Sequence, residues 1–125
     1  MRAMIVDDSS AMRAYLKMIL KSAGFEVTDA RNGKEALQAL QSEKLPDVVL
    51  LDWNMPEMDG FEMLRAMRAN ARCNAIKVMM VTTETEMAEM ARALGAGADE
   101  YVMKPFNREV ILDKLELLGL TPQAL

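Results

Sequence analysis

DVVLLDWNMPEMDG, residues 47–60, reads as a buried strand that delivers a carboxylate to the mouth of a polar loop. The apolar run 48–51 lacks the alternation of a half-exposed strand, and a continuous run of that length implies burial on both faces. Asp52 ends the run, and Pro56 and the Asp59-Gly60 pair break the chain before the next helical pattern. Three other apolar runs also stop on a polar group: MIV on Asp7 and Asp8, VMMV on Thr82, and YVM on Lys104. If the four runs are parallel strands of one sheet, their carboxylates, hydroxyl and ammonium converge on a single crevice at the carboxyl ends of the strands. Such a donor set suits a hard cation such as Mg²⁺, which takes oxygen ligands from one or two carboxylates, water and phosphate. Phosphate chemistry is the expectation.

Periodicity divides the chain into five strand-then-helix units with no repeat or low-complexity stretch between them. AMIVD leads into a helix begun by Ser9 or Ser10, with Met12, Leu16, Ile19 and Ala23 on one stripe and Gly24 as its end. FEVTD precedes a helix from about Asn32 with Ala36, Leu37 and Leu40 inward. DVVLLD and its loop precede a helix around FEMLRAMRA, KVMMVT precedes a helix from about Glu84 to Leu94, and EYVM precedes an amphipathic helix to about Leu118. Strict alternation with short connections predicts an α/β fold, a parallel sheet with helices on both faces. The right-handed crossover rule leaves few topologies, of which the doubly wound, flavodoxin-like order 2-1-3-4-5 is the one expected.

The 125 residues suit one domain, 1–125, with its own core and no room for a second folded module. A net charge of −4 argues against a nucleic-acid surface, which is built from clustered Lys and Arg. The single Cys73 has neither a second Cys nor any His with which to form a disulfide or a soft-metal site. No apolar run approaches the roughly 18 residues of a membrane span, and the first residues carry no signal-peptide segment. A monomer in a reducing cytoplasm, away from membranes, is expected.

Four segments together resemble the receiver domains of two-component response regulators, most nearly the single-domain chemotaxis type: VDDSSAMR, LLDWNMPEMDGFEML, VTTETE and GADEYVMKPF. Each is modest alone, but four in order at successive strand ends make a specific signal. The resemblance implies that Asp52 is the phosphoryl acceptor, taking its group from a histidine kinase in a Mg²⁺-dependent reaction. It implies Asp8 as a metal ligand beside Asp52, Asp7 holding a metal-bound water, and the backbone carbonyl of Asn54 completing the shell. Lys104 is implied as the ammonium that pairs with a phosphoryl oxygen, Thr82 as the switch hydroxyl and Tyr101 as the aromatic that follows it. A cis Lys104-Pro105 bond would aim Lys104 inward. Asn54 and Glu84 flank the path of the hydrolytic water in this family. The implied protein is a phospho-accepting switch rather than an enzyme, one that promotes its own phosphorylation and dephosphorylation. Its phospho-dependent target would bind the surface of the fourth helix, fifth strand and fifth helix, a phosphatase is a further candidate partner, and no output domain is expected.

Blander readings compete at each position. Adjacent aspartates after a strand commonly cap a helix, and only Asp52 and Lys104 at neighbouring strand ends tip the pair toward a metal. Thr82 and Tyr101 taken singly are ordinary strand residues. Arg13, Lys17 and Lys21 share one face of the first helix, which either docks the kinase's phosphohistidine module or is simply solvated. For the stripe Arg65, Arg68 and Arg72 the solvated reading is preferred, the thirteen Met are read as adaptable core filler, and Cys73 has no assigned role. Two residues depart from the family pattern. Thr83 stands where many members have Ala or Gly, and its bulk could slow water or small phosphodonors. Glu86 and Met87 replace the lysines of flagellar-motor-binding members, which leaves the target open. A haloacid-dehalogenase-type phosphatase is disfavoured by the missing D-x-D motif, and a flavodoxin by two aspartates where FMN phosphate would sit. The remaining alternative is a phosphorylation-independent interaction module or phosphate sink on the same fold.

Overall fold

The computed structural model describes residues 1–122, without the side chain of Glu84; the last three residues of the expected domain lie outside it. Its elements are β1 (Arg2–Val6), α1 (Ser10–Ser22), β2 (Glu26–Ala30), α2 (Gly33–Ala39), β3 (Val48–Asp52), α3 (Gly60–Arg68), β4 (Lys77–Thr82), α4 (Met90–Gly95), β5 (Glu100–Met103) and α5 (Arg108–Leu117). The five strands are parallel in the order β2-β1-β3-β4-β5, as expected. Every residue of β3 is buried, which is why its apolar run shows no alternation.

Strand periodicity sorts the core into two layers. Met4, Val6, Val49, Leu51, Val78 and Met80 face α2, α3 and α4, meeting Ala36, Leu64, Met67 and Ala93. Ala3, Ile5, Val48, Leu50, Met79 and Val81 face α1 and α5, meeting Leu16, Leu20, Ile111 and Leu115. Several methionines are completely enclosed, including Met63, Met67, Met79 and Met80, consistent with core filler. Ser9 caps α1 by accepting from the Met12 N–H at 3.2 Å, and Asn32 caps α2 through the Glu35 N–H at 2.8 Å.

The expected helix from Glu84 to Leu94 is only half there. Residues Glu84–Glu89 form a 3₁₀ segment, and α4 proper starts at Met90. The reason lies in local polar bonds: Glu86 reaches back to Thr83, and the Glu86 N–H bonds to the Thr83 carbonyl at 3.0 Å, an i to i+3 closure that tightens the turn. The solvated reading of the arginine stripe fails for Arg68 and is incomplete for Arg72, which is exposed yet bonded to backbone. Arg65 is exposed, but Arg68 donates to the carbonyls of Gly97 (3.0 Å), Cys73 (2.8 Å) and Ile76 (2.8 Å) and to Asp99 (3.1 Å). Arg72 donates to the carbonyls of Leu40 (3.1 Å) and Ser42 (2.7 Å) at the end of α2. Both donate to backbone carbonyls outside the regular helix and sheet bonding, and Arg68 ties α3 to the start of β4 and the approach to β5.

Candidate functional site

Sheet register assembles the site. Val6 lies beside Leu51 and Asp52 beside Val81, so the residues that follow β1, β3 and β4 emerge together where the strand order reverses. The buried polar residues among those described are Asp7, Asp52 and Thr82, all at this end of the sheet. Gly60 keeps the loop after Asp52 closed: its N–H bonds to the Trp53 carbonyl at 2.8 Å, and a Cβ there would collide with the Asp52 carbonyl oxygen.

Each side chain is held by its own neighbours. The Asp7 carboxylate accepts from the Ser9 N–H at 2.8 Å, and Arg13 donates to the Asp7 carbonyl at 2.8 Å. Lys104 follows β5, its N–H bonded to the Thr82 carbonyl at 2.6 Å and its peptide bond to Pro105 cis. Its ammonium lies 3.1 Å from Asp52 Oδ1 and 3.9 Å from Asp7 Oδ2. One carboxylate oxygen from each of Asp7, Asp8 and Asp52 falls within 4.8 Å of the others.

Three carboxylates against one ammonium leave the site under-neutralised. Burial, then the charge of Asp7, push the Asp52 carboxyl from its ordinary 3.8 up to about 6, against the opposing pull of Lys104. Burial also raises Asp7, although the Ser9 N–H and Lys104 pull the other way. Asp7 Oδ2 is buried with no hydrogen-bond partner. An orphaned acceptor, clustered carboxylates and an all-oxygen donor set fit a hard divalent cation. The arrangement can bind a cation, neutralise an incoming anion with Lys104, and offer Asp52 as a nucleophile.

A pocket of about 690 Å³ opens onto these groups, lined by Asp7, Asp8, Asp52, Asn54, Thr83, Glu86 and Lys104 among others. Asn54 and Thr83 both line it. Thr82 does not line the pocket; it is fully buried, and its hydroxyl donates to the Thr83 carbonyl at 3.3 Å. Tyr101 is half-buried on β5, with the Lys114 ammonium 4.8 Å from its ring centre. Glu84 opens the 3₁₀ segment, and its side chain lies outside the described residues. Arg13 is turned inward to Asp7 and to Asp29 at 3.1 Å, Lys17 pairs with Asp29 at 3.6 Å, and Lys21 is exposed, so the basic face of α1 is partly neutralised. Glu86 was readable as a surface residue of the fourth helix, but it lines the pocket. The signal that could have found it is the T-x-x-E spacing of Thr83 and Glu86, the sequence mark of a residue that turns back on its cap.

Fold and site together define a signalling receiver of the two-component kind. The chain belongs to the response regulator receiver domain family, whose sequence model matches residues 3–116. Among curated relatives, it is 40% identical over 119 residues to the chemotaxis protein CheY1 of Helicobacter pylori, covering 94% of this chain and 96% of that protein. It is 42% identical over 117 residues to the chemotaxis protein CheY of Pseudomonas aeruginosa, covering 93% and 94%. Among solved structures, the chemotaxis protein CheY4 of Vibrio cholerae superposes with a TM-score of 0.86 at 36% identity, over 93% of this chain and 96% of that one. The chain is thus a receiver domain of the chemotaxis type. Among the described residues, no helix is long and apolar enough to cross a membrane.

Proposed function

We propose that this protein is a phospho-accepting switch that takes a phosphoryl group from a histidine kinase onto Asp52 and, in doing so, alters a protein-binding surface. The observation that carries the reading is the Lys104 ammonium, 3.1 Å from an Asp52 carboxylate that burial and Asp7 hold under-neutralised. Asp7, Asp8, Asp52 and the backbone carbonyl of Asn54 would hold Mg²⁺. Bound there, the ion supplies positive charge that offsets repulsion between the acceptor and the phosphoryl oxygens. Asp52 attacks phosphorus, an O–P bond forms as the P–N bond to the histidine breaks, and the imidazole leaves after taking a proton from water. Lys104 pairs with a phosphoryl oxygen as a point charge on a flexible stem.

Phosphorylation adds charge and acceptor oxygens beside β4, and Thr82 exchanges its bond to the Thr83 carbonyl for one to the new group. Tyr101 then moves inward from its half-buried position and reshapes the surface of α4, β5 and α5. Leu94, Met103, Val110 and Leu117 already present exposed apolar area on those elements. A target protein that prefers the altered surface is favoured by phosphorylation and reciprocally favours it. Hydrolysis resets the switch, with Asn54, Glu84 and Thr83 setting how readily water reaches phosphorus. The protein acts only on itself in these steps, with the kinase, a chemotaxis target and a phosphatase as its partners, and we place it with them in the cytoplasm as a monomer.

The direct test is intact-mass measurement after incubation with a histidine kinase or acetyl phosphate, with and without Mg²⁺. One added phosphoryl group is expected in the wild type with Mg²⁺ and none in Asp52→Asn; addition to both proteins would refute the assignment. Thr82→Ala tests the output: phosphorylation persists, but the phospho-dependent gain in target affinity, about 5–150-fold for couplings of this kind, shrinks toward unity. An undiminished gain in that variant would exclude Thr82 as the coupling residue.

A further inference from the structure

The connection between β4 and α4 carries a carboxylate that the phosphoryl chemistry does not use. Glu86 Oε1 accepts from both the Thr83 N–H, at 3.0 Å, and the Thr83 hydroxyl, at 2.6 Å. That hydroxyl has one proton and gives it to Glu86, so in the 2.9 Å contact between the Thr83 and Thr85 hydroxyls Thr85 is the donor. Glu86 Oε2 is buried and has no hydrogen-bond partner. Both Thr83 and Glu86 line the pocket that contains Asp7, Asp8, Asp52 and Lys104. The loop therefore already presents an anionic group, on the donors of Thr83, in the space a phosphoryl group must enter.

We propose that Glu86 is a removable latch: it competes with an incoming tetrahedral oxyanion for the N–H and O–H of Thr83, and so discriminates against small phosphodonors. The proposal rests on the switch reading above and deepens it. Three observations support the competition. The donors are shared, since Thr83 N–H and O–H are spent on one carboxylate oxygen until it leaves. The charges are alike, and like charges brought together in one pocket repel. The latch is also weakly anchored, because its other oxygen is unpartnered and it sits in a six-residue 3₁₀ segment, longer than such runs usually persist. A kinase-borne phosphohistidine carries protein contacts that offset displacement of the latch, whereas acetyl phosphate brings none. Once Asp52 is phosphorylated, Glu86 has already left Thr83, so the latch governs entry of the group and not its loss.

The test is stopped-flow phosphorylation by acetyl phosphate with Mg²⁺ in wild type, Glu86→Ala and Glu86→Gln, with dephosphorylation followed separately. In each protein transfer forms the Asp52 O–P bond, breaks the P–O bond of acetyl phosphate and releases acetate. Glu86→Ala should phosphorylate about tenfold faster, the scale of a lost charge-assisted hydrogen bond. Glu86→Gln, which keeps an acceptor but not the charge, should gain less, about threefold. Dephosphorylation should stay within about twofold of wild type, since the latch is already open in that state. A simple loosening of the loop would raise both rates together, and that result would overturn the proposal, as would unchanged or slower phosphorylation of both variants. If intact mass shows the wild type phosphorylated but the variants merely match it, the latch alone fails. If no protein gains a phosphoryl group, the switch reading fails and takes the latch with it.

Discussion

The helices α3 and α4 follow adjacent strands, and before each a glutamate reaches back to the residue that opens the turn, yet one helix is fixed and the other only half formed. Before α3, Asp59 accepts from the Glu62 N–H at 2.8 Å and Glu62 accepts from the Asp59 N–H at 3.4 Å. Nine helical residues follow, with Phe61, Met63, Leu64 and Met67 buried. Before α4, Glu86 likewise reaches back to Thr83, but six residues of 3₁₀ geometry follow, then a six-residue helix burying Met90 and Ala93. A cap directs a helix, and apolar burial holds it there. The site is thus assembled from a rigid side, where β1, β3 and α3 fix the aspartates, and a compliant side after β4, where a new charge can be accommodated by movement.

The largest break in this contrast should come from the cores. Leu64→Ala, at a fully buried position of α3, should cost about 2–5 kcal/mol of unfolding free energy. Leu94→Ala in α4, at a position 42% exposed, should stay within about 0.5 kcal/mol. Chemical denaturation of the two variants checks both. Equal losses would mean that α4 is packed as firmly as α3.

The aspartates on the rigid side should reveal themselves through pH. Asp52 holds its proton up to about 6 when folded against 3.8 when unfolded, so between those values the folded chain carries more protons. Stability contributed by this group is present below about pH 4 and is lost as pH rises through about 6, on the order of 3 kcal/mol in all. The raised Asp7 carboxyl acts in the same direction. The wild-type stability curve should therefore fall relative to that of Asp52→Asn across this window, and Mg²⁺ at pH 7 should recover part of the loss by binding only the folded cluster. Parallel curves for the two proteins would remove the electrostatic account of the site.

Caps should give the smallest effect and the sharpest comparison. Asp59→Ala should destabilise by about 1 kcal/mol, since α3 belongs to the cooperative core. Thr83→Ala should leave global stability within about 0.5 kcal/mol, because its segment opens locally without unfolding the sheet. Amide exchange should agree, with residues 84–89 exchanging by local opening while α3 exchanges only near the global limit.

These contrasts mark how far the residues alone could be read. β3 was legible because four consecutive apolar residues between turn signals are too short for a buried helix and suit a central strand, and Asp52 stood out because it ends that run. The cluster of Asp7, Asp8 and Asp52 followed once β1 and β3 lay side by side, an order that rested on crossover rules and on the family resemblance. Hydrophobic spacing over 84–94 could not separate 3₁₀ from α geometry, because the deciding bonds are between polar side chains and the backbone. Nor could helical spacing show where Arg68 and Arg72 end. Long side chains on an apparently solvated stripe reach carbonyls 5 to 32 residues away along the chain, a tertiary fact. The inward turn of Arg13 to Asp7 and Asp29 is of the same kind.

Trp53 adjoins Asp52, lines the same pocket and packs against Phe61 with ring centres 5.8 Å apart, which makes it a reporter at the junction of the site and α3. The decisive measurement is its fluorescence on addition of Mg²⁺ and then acetyl phosphate, in wild type and in Asp52→Asn. A Mg²⁺-dependent change followed by a second, phosphodonor-dependent change that Asp52→Asn lacks is the result expected of a metal-assisted phosphoryl switch. No response to Mg²⁺, with no phosphoryl group gained by intact mass, would contradict it and leave the fold as a phosphorylation-independent interaction module.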